Sequence, residues 1–250
     1  MQLHLTHPGL FITATDTDAG KTVVTCAIAA ALRSTGAKVG VCKPIATGCR
    51  REREGLVNAD AEALAHFADC RLPLDVINPV RYHPPLAPAV AAEKAKKPVD
   101  FDAIADSLRR LDGEHDVLLI EGIGGIMVPL DDPRTVLDMA AMIGYPVLVV
   151  TRPGLGTLNH TALTCGAIAQ RGLRLAGLVI NGYDPDDTAP ANADNPLWLA
   201  KQNHTKVLAT IPRSDDVAPH EARLPPAVLD AANTCDWLRV CKPSLVTESV

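Results

Sequence analysis

The fold is decided by the stretch Gly9-Leu10-Phe11-Ile12-Thr13-Ala14-Thr15-Asp16-Thr17-Asp18-Ala19-Gly20-Lys21-Thr22. Its first six residues, largely apolar, predict a buried strand. The apolar residues after Lys21 recur every three or four positions, which predicts a helix over residues 21–35. The segment between strand and helix is a short loop, so backbone N–H groups and the helix N-terminus converge on one point. The stretch therefore predicts a phosphate-binding loop.

Two side chains of this phosphate loop, residues 15–22, suit a nucleotide. Lys21 would reach the β- and γ-phosphates, and the Thr22 hydroxyl would ligate Mg²⁺. The glycine that usually stands five residues before Gly20 is Thr15 here, so the match to the usual pattern is incomplete. The alternative is a helix start that binds no ligand.

Short apolar runs alternate with amphipathic stretches along the rest of the chain. Further strands are predicted over 39–43, 116–120, 146–151, 175–181 and 207–211, and further helices over 60–67, 101–111, 135–143 and 157–170. Unbroken runs of Val, Ile and Leu indicate strands buried on both faces, as in a parallel sheet covered by helices. The predicted fold class is α/β: a doubly wound, mainly parallel sheet flanked by helices, of the P-loop NTPase type.

A single domain is predicted over residues 1–234, because no linker or internal repeat divides the chain. Six prolines make residues 73–98 a predicted long connection, since proline is excluded from helix interiors and central strands. Residues 182–195 are polar and rich in Pro and Asp. The C-terminal tail, residues 235–250, has no clear pattern and is expected to be poorly ordered.

The composition of the 250-residue chain excludes several function classes. Its formal charge of −5 argues against a nucleic-acid binder, and its aromatic content of 3% argues against a base-stacking or carbohydrate platform. No apolar run reaches the ~18 residues that a membrane helix needs, and the N-terminus shows no secretory pattern. The seven cysteines form no CxxC pair, which indicates reduced thiols and a cytoplasmic location.

Two carboxylates could complete a metal site. Glu121 follows the apolar run 117–120, and an acidic residue at the end of a buried strand is placed to hold Mg²⁺ or its water. Gly122 and Gly124 let backbone amides approach a phosphoryl group. Asp60 begins a predicted helix, where its ordinary role is an N-cap. A helix cap is the structural alternative for Glu121 as well.

Lys43 stands at the carboxyl end of the second predicted strand, where it could neutralise phosphate or carboxylate charge. The alternative is a lysine that extends along the sheet rim into water. Pro44 and Gly48 shape a turn that leaves Thr47 exposed. The mixed-sign run 50–54 is interpreted as a solvated loop.

Five segments in this order resemble one enzyme family. They are residues 15–22 (TDTDAGKT), 43–48 (KPIATG), 58–61 (NADA), 121–125 (EGIGG) and 155–160 (LGTLNH). The combination resembles the dethiobiotin synthetases, from about residue 10 to about residue 213. The resemblance implies an ATP-dependent ligase of biotin biosynthesis. Such an enzyme forms C–N bonds and closes a cyclic urea from 7,8-diaminopelargonic acid, CO₂ and Mg-ATP, giving dethiobiotin, ADP and phosphate.

The resemblance also implies roles for individual residues. Lys21 and Lys43 would be catalytic, and Lys43 would stabilise the carbamate and the phosphorylated intermediate. The implied Mg²⁺ ligands are Thr22, Asp60 and Glu121. The implied ATP-binding residues are Asp18, Ala19, Gly20, Lys21, Thr22, Val23, Asp60, Glu121, Gly122, Gly124, Asn181, Gly182, Ile211, Pro212 and Arg213. Asn181 would recognise adenine.

The diamine substrate is implied to bind at the interface of a homodimer. The implied contacts are Thr17, Lys43, Thr47, Gly156, Thr157 and Asn159. The last three would hold the substrate carboxylate at a helix start across the interface.

Two alternatives remain beside this ligase. A synthase of the cobyrinic-acid amidation type shares the phosphate loop, but a glutaminase domain with a reactive Cys would be expected after Ile211, and none is evident. A partitioning or switch ATPase would be expected to carry an extra lysine near the loop's start, where this sequence has Thr15-Asp16-Thr17. The sequence therefore favours the ligase.

Overall fold

A parallel sheet of six strands lies at the centre of the structure, a computed structural model that describes residues 3–53, 55–187 and 189–242. The strands in these residues are β1 (Gly9–Ala14), β2 (Val39–Cys42), β3 (Ile45–Ala46), β4 (Arg50–Glu52), β5 (Gly55–Val57), β6 (Val80–Arg81), β7 (Val117–Gly125), β8 (Val147–Thr151), β9 (Leu175–Tyr183) and β10 (Val207–Pro212). The central sheet has the order β10-β9-β8-β1-β7-β2, and every neighbouring pair is parallel. Two small sheets, β3–β6 and β4–β5, lie outside it.

Helices connect these strands and flank the sheet. They are α1 (Lys21–Ser34), α2 (Ala59–Ala68), α3 (Leu74–Ile77), α4 (Pro88–Ala95), α5 (Phe101–Glu114), α6 (Val136–Ile143), α7 (Thr157–Gln170), α8 (Pro190–Gln202), α9 (Pro226–Ala232) and α10 (Trp237–Cys241). A 3₁₀ helix, Pro219–Glu221, follows β10. In the described part of the chain, none of the helices is both long and apolar enough to cross a membrane.

The core lies on both faces of the central sheet. All residues of β1 and β8 are buried, which requires cover on both faces because successive side chains of a strand point to opposite sides. Val24, Ile28 and Leu32 of α1 are part of this cover, and each is fully buried. The predicted fold class, a doubly wound and mainly parallel sheet flanked by helices, is confirmed.

Strand register brings two charged residues together at one edge of the sheet. The sequence pattern ended the third strand at Ile120, but β7 continues to Gly125 because its glycine-rich part still pairs with β1. Ile120 pairs with Cys42 of β2. The next residues along the two strands, Glu121 and Lys43, are therefore neighbours at the carboxyl edge of the sheet, where ligands bind in folds of this kind.

Residues 73–98, predicted as a long connection, contain two helices and a strand. α4 begins with Pro88, at a helix position where the missing N–H costs no hydrogen bond. β6 pairs with β3 outside the central sheet, and α3 follows Pro73 directly. The prediction was wrong because prolines that start elements were interpreted as residues that prevent them.

The polar segment 182–195 contains the start of a helix that the sequence pattern did not predict. β9 extends to Tyr183, and α8 begins at Pro190; Thr188 lies outside the described residues. Pro196 stands inside α8 and obscures the helical pattern. Leu199 of α8 is fully buried, so tertiary packing stabilises a helix that the local sequence disfavours.

The predicted tail is part of the packed structure up to residue 241. α10 buries Trp237 and Cys241, and the Trp237 indole N–H donates a hydrogen bond to the Ala232 carbonyl oxygen at 2.7 Å. This packing differs from the poor order that the sequence pattern predicted. Residues 243–250 lie outside the described residues.

The charged run 50–54 forms part of a hairpin rather than an irregular loop. Arg50–Glu52 are exposed, as expected, but they pair with Gly55–Val57 as the antiparallel strands β4 and β5. The Arg50 guanidinium also donates to the Glu62 carboxylate of α2 at 2.7 Å. Exposed ion pairs of this kind add little stability, but they orient the hairpin toward α2. Glu54 lies outside the described residues.

Candidate active site

The phosphate loop leads from β1 into α1 at the carboxyl edge of the sheet. Gly20, directly before the helix, has a φ of 90°, a left-handed conformation that glycine adopts without strain. Within the described residues, no side chain caps this helix N-terminus, and the Gly20 carbonyl accepts the Val24 N–H at 3.1 Å. The amides of the first turn therefore remain available at the positive end of the helix dipole, an arrangement that suits a phosphate.

Asn181, near the carboxyl end of β9, packs directly on this loop. Its Nδ2 donates a hydrogen bond to the Ala19 carbonyl oxygen at 3.1 Å. A Cβ atom at Gly20 would lie 2.0 Å from the same nitrogen, so only glycine leaves room for the contact. Asn181 thus supports the loop from its neighbouring strand, and its role in adenine recognition stays a prediction.

Lys43, Glu121 and Asp60 form a charged cluster beside the loop. The Lys43 ammonium lies 2.5 Å from Glu121 Oε1 and 3.2 Å from Asp60 Oδ2. Lys43 is 4% exposed and Glu121 is 0% exposed, so both charges are removed from water. The Thr22 hydroxyl donates to the same Glu121 oxygen at 3.0 Å. Lys43 therefore does not extend into water. Besides Lys43, Glu121 Oε1 accepts from a side-chain hydroxyl in the first turn of α1 and not from a backbone amide of the helix.

These charges shift one another's pKa values. Burial lowers the pKa of Lys43, but the charges of Glu121 and Asp60 outweigh burial and raise it overall. Burial would raise the pKa of Asp60, yet Lys43 and His220 lower it below its ordinary value. For Lys21, burial and repulsion from Lys43 exceed the attraction of nearby carboxylates and lower the pKa to about 8. Lys43 is thus a paired cation, whereas Lys21 is a desolvated cation that an anionic ligand would stabilise.

Asp60 lies in the first turn of α2 but does not cap the helix. Asn58 Oδ1 accepts the Ala61 N–H at 3.2 Å and provides the cap. The Asp60 carboxylate is therefore directed to side chains, with Oδ1 at 2.8 Å from His220 Nε2 and Oδ2 facing Lys43. His220 is a site residue that the sequence analysis missed. It lies 160 positions from Asp60, and no local pattern marks it.

Two cavities adjoin the phosphate loop. One has a volume of about 300 Å³, and the predicted residues that line it are Thr17, Asp18, Gly20, Lys21, Thr22, Val23, Lys43, Thr47, Asp60 and Gly124. The other has a volume of about 560 Å³, and the predicted residues that line it are Asp18, Ala19, Thr157, Asn181, Gly182 and Arg213. The structure therefore gathers Lys21, Thr22 and Asp60 on one side of the loop and Asn181, Gly182 and Arg213 on the other. Asp18 lines both cavities, and the buried Glu121 lines neither.

Several predicted nucleotide residues line neither cavity. Gly122 is buried within β7, and Ile211 is buried within β10. Pro212 pairs with Tyr183 at the end of β10. These three residues belong to the strands that carry the site, and their contact with a nucleotide stays a prediction.

At the start of α7, the three residues predicted to hold the substrate carboxylate differ in how accessible they are. Gly156 precedes the helix with a φ of 91°, and Asn159 is exposed. The Thr157 hydroxyl, however, is buried and lies 2.6 Å from the Thr151 hydroxyl. Thr157 therefore anchors α7 to β8, and the part it plays toward the substrate stays a prediction.

Arg152 is a second site residue that the sequence analysis missed. It follows β8, and its Nη2 donates to the Thr17 carbonyl oxygen at 3.0 Å and lies 3.6 Å from Asp16 Oδ2. These contacts tie the outer part of the phosphate loop to the neighbouring strand. Its position directly after a predicted strand was the sequence feature that could have identified it.

The oxygen atoms beside the loop fit Mg²⁺. Thr22, Asp60 and Glu121 offer hard oxygen donors, and Glu121 Oε2 is buried with no hydrogen-bond partner among the described residues. The described residues contain no group of three or more His, Cys, Asp or Glu side chains arranged to hold a metal. A donor set with few carboxylates is typical of Mg²⁺ that is shared with substrate phosphates.

A phosphate loop between β1 and α1, with a buried acidic residue on the adjacent strand β7, defines a P-loop NTPase. Residues 8–221 match the family model described as an AAA domain. The ATP-dependent dethiobiotin synthetase BioD of Anaeromyxobacter sp. (strain K) is 41% identical over 210 residues, covering 84% of this chain and 92% of that protein. Its counterpart from strain Fw109-5 is 42% identical over 211 residues, with the same two coverages. The chain belongs to the ATP-dependent dethiobiotin synthetase family.

Solved structures with the same fold include a protein of another function. The septum site-determining protein MinD of Pyrococcus horikoshii OT3, solved with Mg-ADP, has a TM-score of 0.56 and 17% identity, covering 92% of this chain and 94% of that one. At this identity the likeness shows the fold alone. The fold by itself therefore does not identify the reaction, and the family assignment rests on the sequence relatives.

Proposed function

We propose that this chain uses ATP to carboxylate 7,8-diaminopelargonic acid and close it to dethiobiotin, releasing ADP and phosphate. The observation that carries the proposal is the buried Lys43 at the junction of the phosphate loop, Glu121 and Asp60. Family membership identifies the reaction, and this cluster supplies the positive charge that the reaction needs where the loop receives phosphate.

The reaction gathers negative oxygen at one point in three steps. One amine of the substrate adds to CO₂ and forms a carbamate. A carbamate oxygen then attacks the γ-phosphate of ATP, which gives a carbamic–phosphoric anhydride and ADP. The second amine attacks the carbamate carbon, phosphate leaves, and the urea ring closes.

The residues of the cluster stabilise these oxygens without forming a covalent bond to the substrate. Lys21 and the amides of the first turn of α1 would bind the phosphates, and Lys43 would stabilise the carbamate and the anhydride. Thr22, Asp60 and Glu121 would hold Mg²⁺, which when bound supplies charge neutralisation between the phosphates. Thr17 and Thr47, which line the same 300 Å³ cavity, would contact the diamine. Positioning provides much of the remaining rate enhancement.

The proposed reaction is tested by dependence on the diamine. The purified protein is incubated with Mg-ATP, bicarbonate and 7,8-diaminopelargonic acid, while ADP and the mass of the urea product are measured. We expect ADP release only when the diamine is present, with one product molecule for each ADP. ATP hydrolysis that ignores the diamine would contradict the proposal and support a switch ATPase.

We also propose that the chain forms a homodimer through α7, α8 and the loop before α7. Leu155, Leu163, Leu197 and Trp198 expose between 52% and 97% of their surface there, and Asn195 of α8 donates to the Pro153 carbonyl oxygen at 2.7 Å. Exposed apolar groups concentrated in one region are typical of a protein interface. This region includes Gly156 and Asn159, the predicted carboxylate site.

We expect the wild-type chain to sediment as a dimer and the Leu163→Glu variant as a monomer, because a buried unpaired carboxylate opposes association. Val90→Glu serves as the control, since Val90 is an exposed apolar residue of α4. Analytical ultracentrifugation measures both. A stable wild-type monomer would rule out the dimer and the roles of Gly156, Thr157 and Asn159 across it.

We further propose that His220 positions Asp60. His220→Ala is expected to lower kcat/KM about tenfold, since a hydrogen bond to a charged group contributes about 1.5 kcal/mol. His220→Gln keeps a donor and is expected to recover most of the activity, whereas His4→Ala, at an exposed histidine, should change nothing. Equal losses in His220→Ala and His220→Gln would show that Asp60 does not depend on this donor.

The cytoplasmic location expected from the cysteine pattern stays a prediction.

A further inference from the structure

A second group of reactive side chains lies at the opposite edge of the sheet from the phosphate loop. Cys70 follows α2, and its Sγ lies 3.6 Å from His115 Nε2. His115 precedes β7, so the pair sits at the amino-terminal edge of the sheet. The His115 Nδ1 lies 2.9 Å from the Leu111 carbonyl oxygen. That carbonyl can only accept, so Nδ1 carries the proton and Nε2 is free to accept the proton of the thiol.

Cys70 differs from every other cysteine of the chain. All seven cysteines are free thiols. Burial raises the pKa of six of them, which are Cys26, Cys42, Cys49, Cys165, Cys235 and Cys241. Burial would raise the pKa of Cys70 too, but hydrogen bonds from His115 and from the amides of Leu72 and Val41 outweigh it and lower the pKa. The surroundings of Cys70 therefore favour a thiolate, the nucleophilic form.

A cavity of about 370 Å³ adjoins this pair. Its lining includes His115 and the residues on both sides of Cys70 in the chain, together with charged groups of both signs: Arg33, Lys38, Asp69, Arg71 and Glu114. Cys70 itself is only 6% exposed and does not line the cavity, whereas its partner His115 does. A small molecule in the cavity would therefore approach the sulfur past the His115 imidazole. Mixed charges of this kind suit a zwitterionic molecule.

We propose that Cys70, paired with His115, is a site of thiol–disulfide exchange with small zwitterionic disulfides such as glutathione disulfide. The Cys70 thiolate attacks one sulfur of the disulfide, so a new Cys70 S–S bond forms and the original S–S bond breaks. The departing thiolate takes the proton from the His115 imidazolium. No oxidant besides the disulfide is needed. The site is independent of the proposed ligase function.

The test measures which cysteine reacts first in the native full-length chain. The protein is incubated with glutathione disulfide at neutral pH, quenched with acid, digested and analysed by mass spectrometry. We expect the mixed disulfide on Cys70 before Cys235, although Cys235 is the more exposed of the two. Earlier modification of Cys235, or an unmodified Cys70, would overturn the proposal. This comparison needs no variant.

Variants then test whether His115 promotes the reaction of Cys70. In His115→Gln we expect the Cys70 reaction to slow by about tenfold or more, because the thiolate loses its cationic partner, while the Cys235 rate stays the same. Urea unfolding of the variant checks that the fold is retained. An unchanged Cys70 rate in a folded His115→Gln variant would overturn the pairing. Cys70→Ser serves as the control that the adduct resides on this sulfur.

Discussion

Replacement of Lys43 by Ala is expected to lower turnover by about 10²–10³-fold, because one preorganised charge that stabilises the transition state is lost. The same change removes the partner of Glu121, which is 0% exposed and has a second oxygen without a hydrogen-bond partner in the described residues. An unpaired buried charge typically costs about 3–5 kcal/mol. We therefore expect Lys43→Ala to lower the free energy of unfolding as well as the turnover. Steady-state ADP release and urea unfolding measure the two effects.

A double variant separates these effects. In Lys43→Ala/Glu121→Gln the buried carboxylate is replaced by a neutral amide, so we expect much of the stability to return while turnover stays low. Full activity in either variant would contradict the role of Lys43. An unchanged urea midpoint in the single variant would show that Glu121 takes up a proton or finds another partner.

Replacement of Lys21 by Ala is expected to lower turnover by a similar factor, about 10²–10³-fold, and also to weaken ATP binding. The effect on stability should differ from that of Lys43. Burial and repulsion from Lys43 lower the pKa of Lys21 to about 8, so its charged form is disfavoured in the folded protein. Removing this charge is therefore expected to leave the free energy of unfolding unchanged or slightly higher.

Calorimetric titration with ATP and thermal unfolding check the Lys21 prediction. Lys206→Ala is the matched control, since Lys206 is an exposed lysine directly before β10. Normal ATP affinity in Lys21→Ala would contradict the proposed role of the phosphate loop in nucleotide binding. A large drop in unfolding temperature would mean that Lys21, like Lys43, is needed to balance Glu121.

Local pattern was enough to predict the elements that build the sheet. A run of apolar residues decides a buried strand, and three- to four-residue spacing decides a helix, because each depends on neighbours a few positions away. Prolines misled the prediction where they begin helices, as Pro88 does. The sequence pattern did not predict α8, because the helical state of α8 depends on the burial of Leu199 rather than on local helix preference.

The sequence by itself determined the phosphate loop and the strands that lead to Lys43 and Glu121, because these features need only a strand, a turn and a helix in succession. Only the tertiary structure decided which distant side chains meet. The alignment of β2 with β7 places Lys43 beside Glu121. Asn58 caps α2, so the Asp60 carboxylate is available to Lys43 and His220. Arg152, which follows β8, contacts the phosphate loop. Such contacts depend on how strands align and where connections return, which no local spacing encodes.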